Sequence, residues 1–117
     1  MRVAWVEPKI TVNPYALFQK GVNLQNILFI EAQDSMNWCL AQTLEAGCFQ
    51  AIIADGNLFT ERELRRYQLL SERRNTHFFL LSQKAHASWV PHLQIEAKKF
   101  GGNSGVHLQV LRRRGVG

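Results

Sequence analysis

The sequence predicts an α/β domain with a mostly parallel sheet flanked by helices and a C-terminal antiparallel β-hairpin. Three observations carry this expectation. Short apolar runs alternate with segments of helical period along residues 1–82. Those runs are apolar throughout, as strands buried on both faces must be. The last third changes to alternation of period two on either side of the turn-forming GGNSG at 101–105, the pattern of a hairpin with one wet face.

Each element has a local reason. RVAWVE (2–7) is apolar and stops at Pro8, which disfavours helix before it and removes a donor after it. NPYALFQKG places Asn13 at a helix N-cap, Pro14 at the first helical position and Gly21 at the stop. NILFIEA (26–32) is a second strand. In DSMNWCLAQTLEAG, Asp34 is expected as N-cap. Met36, Cys39, Leu40, Thr43 and Leu44 share one face, and Gly47 ends the helix. QAIIAD (50–55) is a third strand that breaks on Gly56. TERELRRYQLLSERRN opens with Thr60 and Glu63 at capping-box spacing. Leu64, Tyr67 and Leu70 form its core stripe, and Arg62, Arg65, Arg66 and Arg73 gather on the opposite side. THFFLLS (76–82) is a fourth strand, and HLQIEAKK and VHLQVLRRR are the hairpin.

At 117 residues the chain is expected to form one domain able to bury a core. No apolar run approaches the ~20 residues that span a bilayer, and Glu7 and Pro8 interrupt any signal-peptide core, so a cytoplasmic protein is expected with no membrane partner. Cys39 and Cys48 have no metal spacing and read as buried thiols in a reducing compartment. Charge is uneven. Residues 1–59 carry three Lys/Arg against five Asp/Glu, a net of −2, whereas residues 60–117 carry eleven against four, a net of +7. A basic half suits an anionic partner or a solvated face, and charge alone does not choose between them.

The order of residues resembles the core of bacterial RecA. VAWVEPKITVNPYALFQKGVNLQNIL (3–28) resembles the segment after the first RecA helix, and LEAGCFQAIIAD (44–55) the approach to the strand whose last aspartate, here Asp55, binds magnesium. RNTHFFLLSQ (74–83) is similar to the next strand, with Gln83 at the phosphate-sensing position, and VHLQVLRRRGVG (106–117) to a later antiparallel strand. Residues 1–117 thus look like a single, truncated RecA-like domain. The departures bear on function. These residues contain no GxxxxGK[ST] phosphate loop, and Lys9 stands where the resemblance implies the water-orienting glutamate. Asp55, Gln83 and Lys9 therefore read as relic positions. The resemblance implies no enzyme activity, cofactor or metal. Asp55 remains either a strand-end turn residue or a metal ligand.

The outline and the arginine-rich LRRYQLLSERRNTHFFLL resemble ImuA-like proteins, accessories of damage-induced translesion polymerases; SulA-like inhibitors of the division protein FtsZ share the trimmed outline. The resemblance implies a non-catalytic protein of the bacterial DNA-damage response, with a protein partner of the translesion polymerase, RecA or FtsZ class. Weak, non-specific nucleic-acid binding is a further expectation, carried by Arg62, Arg65, Arg66, Arg73, Lys98, Lys99, Arg112, Arg113 and Arg114. Lys84 and Trp89 in the 83–91 loop offer a cation and a ring that either stacks on a base or packs on the core. His77, His86, His92 and His107 are dispersed and read as solvated imidazoles, with His92 and His107 as facing residues in the hairpin. No nucleophile-elbow pattern surrounds any serine. Glu7, Glu31 and Asp55 all end strands, where α/β domains bind ligands, and form the one acidic cluster in prospect.

Overall fold

The computed structural model describes residues 1–56 and 59–82, and the backbone of 93–100 and 105–113. The chain divides into two compact units, Met1–Ala85 and His86–Gly117. In the first, the elements run β1 (Val3–Glu7), α1 (Pro14–Gln19), a 3-10 turn (Leu24–Asn26), β2 (Ile27–Glu31), α2 (Met36–Ala46), β3 (Ala51–Asp55), α3 (Glu61–Arg73) and β4 (His77–Leu81). In the second, β5 (Leu93–Phe100) and β6 (Gly105–Arg113) pair antiparallel, with a register shift between Gln94 and Ile95.

The four strands of the first unit form an all-parallel sheet in the order β2-β1-β3-β4. Its register puts Phe29, Trp5, Ile53 and Phe79 in one row across the sheet. Leu28, Ala4, Ile52 and Phe78 form the next row, whose side chains point to the other face because strand residues alternate. Ala4, Val6, Ile52 and Ala54 are buried, and α2 and α3 pack on this face and against each other.

Helix α2 buries Met36, Leu40, Thr43 and Leu44 along one stripe, as its spacing predicts, and α3 buries Leu64, Tyr67 and Leu70. Fully burying one such leucine contributes about 1.5–3 kcal/mol, so these stripes fix how the helices sit on the sheet. The capping box forms as expected. Thr60 Oγ1 accepts from the Glu63 N–H at 3.2 Å, and Glu63 Oε1 accepts from the Thr60 N–H at 2.9 Å. Gly47 closes α2 at a φ of +66°, a left-handed conformation that costs glycine nothing. Gly56, which ends the third apolar run, is fixed by crowding: a Cβ there collides with the Leu80 side chain.

Tyr67 ties the elements together. Its ring meets Phe59 and Phe78 edge-on, with centroids 5.3 Å and 6.4 Å away. Its O–H donates to Asn37 Oδ1 on α2.

Some details differ from the sequence reading. Ser35, not Asp34, occupies the N-cap of α2, and its side chain makes no capping bond. Cys39 is only half-buried and Cys48, just past the Gly47 cap of α2, is exposed, both as free thiols. In the hairpin, His107 lies opposite Lys98 rather than His92, which is outside the described residues.

Cover of the sheet is also uneven. The strand order makes the step from β1 to β2 opposite to that from β2 to β3, so right-handed connections place α1 on the face away from α2 and α3. That helix is short and buries none of its own residues, and on β4 Phe79 is 55% and Leu81 52% exposed.

Burial pushes the Tyr67 phenol above its ordinary pKa of 10.0, with the Glu63 carboxylate adding to the rise and Arg66 opposing it. A raised folded-state value means the neutral phenol stabilises the fold fully below the unfolded pKa, and that stability is lost as pH climbs through the folded one. Tyr67→Phe should therefore lose about 1 kcal/mol near neutrality with its hydrogen bond. It should also flatten the fall in stability above about pH 10. Urea unfolding of both proteins across that range reads both effects; identical pH slopes would refute the assignment.

Candidate functional site

The carboxyl ends of parallel strands are where an α/β sheet offers backbone and side chains to a ligand. Here that edge holds a cleft of about 300 Å³ lined by Trp5, Glu7, Thr11, Val12, Asp55, Leu81 and Ser82. The parallel register of β1 and β3 carries Glu7 and Asp55 to neighbouring strand ends, and Glu7 pairs with Glu31 across β1 and β2. The acidic cluster expected from the strand ends is thus brought together by the fold.

Two of its members are already occupied. Glu7 accepts from Trp5 Nε1 at 2.7 Å through Oε1, and from Thr11 Oγ1 at 2.7 Å and the Thr11 N–H at 3.3 Å through Oε2. Glu31 Oε1 accepts from the Ile10 N–H at 3.1 Å. Both carboxylates therefore fasten the segment after β1 back onto the strand ends, satisfying amides that sheet pairing leaves over. Asp55 is half-buried at the end of β3 and lines the cleft.

Among the described residues, no basic side chain lines this cleft and no group of three or more His, Cys, Asp and Glu is placed to hold a metal ion. A phosphate entering it would meet the carboxylates of Glu7 and Asp55, and none of the described lining residues is a guanidinium or ammonium. The geometry suits a cationic or neutral group better than an anion. Lys9 is exposed in the segment after β1.

The arginines lie elsewhere. Arg62, Arg65, Arg66 and Arg73 are all exposed on α3, as its periodicity predicts. The Arg66 guanidinium stands 5.5 Å from the centre of the Tyr67 ring, a cation–π arrangement. Arg74, which the reading of the basic face left out, bonds Glu45 of α2 at 2.9 Å. Lys98, Lys99, Arg112 and Arg113 fall within the paired backbone of β5 and β6, with Lys98 opposite His107 and Arg112 opposite Gln94. Gln83, Lys84, Trp89 and Arg114 lie outside the described residues.

Three residues have places that no sequence motif announces. Trp5 and Thr11 gain their roles only through Glu7, and the four-residue gap from Glu7 to Thr11 across a proline gives no recognisable motif. Leu69, 62% exposed among the arginines of α3, lies off the apolar stripe that the helical period marks as core.

No protein-family model matches this chain, and no curated protein matches it at a significant level. No helix among the described residues is long and apolar enough to cross a membrane.

The fastening role of Glu7 has a measurable consequence. Glu7→Ala removes three hydrogen bonds and should cost about 1 kcal/mol or more in urea unfolding. Amide exchange at Thr11 should speed up selectively. Unchanged exchange at Thr11 would mean that the carboxylate is not holding this segment.

Proposed function

We propose that this chain is a non-catalytic, RecA-related domain of the bacterial DNA-damage response. In this reading it works by holding a protein partner, in the manner of an ImuA-type accessory to recombination or translesion synthesis. The observation that carries the binding role is a division of labour among charges. Glu7 and Glu31 at the strand ends are spent on internal fastening, while Arg62, Arg66 and Arg73 are exposed with no carboxylate partner among the described residues.

The damage-response setting is supported by the resemblance alone: the order of strands and helices, the position of Asp55 and the arginine-rich helix. Absence of catalysis is supported by the lack of a GxxxxGK[ST] turn in these residues and by Lys9 in the water-orienting position that the resemblance implies. Nucleic acid, in this reading, is a weak and salt-sensitive secondary ligand of the same basic surface.

Calorimetric titration of the protein with ATP and Mg²⁺ tests the non-catalytic reading. No saturable heat is expected. A dissociation constant of about micromolar order, abolished by Asp55→Ala, would overturn it and make the strand-end cleft a nucleotide site.

A further inference from the structure

Within α3, Arg62, Arg66, Leu69 and Arg73 follow one another at intervals of four, three and four residues. At 3.6 residues per turn they fall within about 60° of arc and form a line about 16 Å long on the helix face away from the sheet. All four are exposed, and Leu69 is 62% so. A charged line interrupted by one large apolar side chain is unlike a solvated helix face, which would carry a polar residue at that place.

From this line we infer a docking surface for an acidic amphipathic helix of a protein partner, with an apolar side chain seated on Leu69 and carboxylates meeting Arg66 and Arg73 on either side of it. The inference rests on the reading of the chain as a binding domain and names the chemistry of what it binds. Charge complementarity selects an acidic partner, because three guanidiniums lie along the line without a carboxylate partner among the described residues. Shape selects a helix, because side chains spaced at i, i+4, i+7 and i+11 match the ridge of a second helix laid alongside. Leu69 supplies an apolar contact in the middle of the line, and the arginines beside it are of the residue type that most often anchors interfaces.

Nucleic acid is the poorer fit. Leu69, in the middle of the line, offers no hydrogen bond to a base or to the sugar-phosphate backbone. No Phe, Tyr or Trp is exposed on α3 to stack a base; its one aromatic residue, Tyr67, is buried. The surface is also partly pre-organised. Arg66 is held over the Tyr67 ring, and Tyr67 is fixed by Phe59, Phe78 and Asn37, which lowers the ordering entropy of binding.

The test uses the full chain and three fluorescent probes followed by anisotropy. One is a stapled helical peptide with a central leucine flanked by glutamates one turn to either side. The second is the same peptide with alanine for leucine, and the third a single-stranded oligothymidine. The leucine peptide should bind saturably, and Leu69→Ala or Arg66→Glu should each weaken it at least about tenfold with thermal unfolding unchanged. The alanine peptide should bind the unaltered protein correspondingly weakly. Three results would each overturn the inference: no saturable binding of the leucine peptide, an affinity indifferent to Leu69→Ala, or tighter binding of oligothymidine that Leu69→Ala leaves intact. Failure here with ATP still unbound removes only the acidic-helix partner, whereas ATP binding removes the non-catalytic reading beneath it.

Discussion

The buried contact of Tyr67 is the constraint on which the rest of the first unit depends. A parallel sheet cannot leave its strands bare, and α2 and α3 cover one face only if they also pack against each other. Tyr67 meets Phe78 of β4, Phe59 just before α3, and Asn37 at the start of α2. One ring and one hydroxyl thereby set the rotation of α3 about its axis. Once that rotation is set, the side opposite Tyr67 has no choice but to face solvent, and Arg62, Arg66, Leu69 and Arg73 are on it.

The strand ends obey a different logic. A single aspartate closing a buried strand looks like the mark of nucleotide chemistry, and the fold does gather Glu7, Glu31 and Asp55 at that edge. Yet Glu7 and Glu31 turn inward to the segment after β1, where a proline and a short irregular run leave amides in need of acceptors. Acid at a strand end here answers a backbone requirement. The same residue types that would hold a metal in one domain hold a loop in another, and hydrogen-bond partners distinguish the two.

Much of this was legible in the sequence because it is local. The apolar runs at 2–7, 26–32, 50–55 and 76–82 announced four parallel strands, and Thr60 with Glu63 announced the start of α3. The opposed leucine and arginine stripes of that helix followed from its period. What remained hidden depends on residues far apart in the chain. Asn37 and Tyr67 are 30 residues apart and meet only when α2 and α3 share a face. Glu31 finds the amide of Ile10 across 21 residues. Ser35 displaces Asp34 at the α2 cap by a shift of one residue, within the uncertainty of any helix end read from pattern.

The central claim is that α3 is folded by its inner face, which leaves its outer face available to the proposed partner. Chemical unfolding of two variants tests it. One carries Arg62→Ala, Arg66→Ala, Leu69→Ala and Arg73→Ala together, and the other Leu64→Ala alone. The account predicts that the fourfold outer variant stays within about 1 kcal/mol of the unaltered protein, since exposed charges contribute little. The single inner substitution should cost about 2–5 kcal/mol. An outer variant as unstable as the inner one would contradict the account and make the arginine line part of the fold.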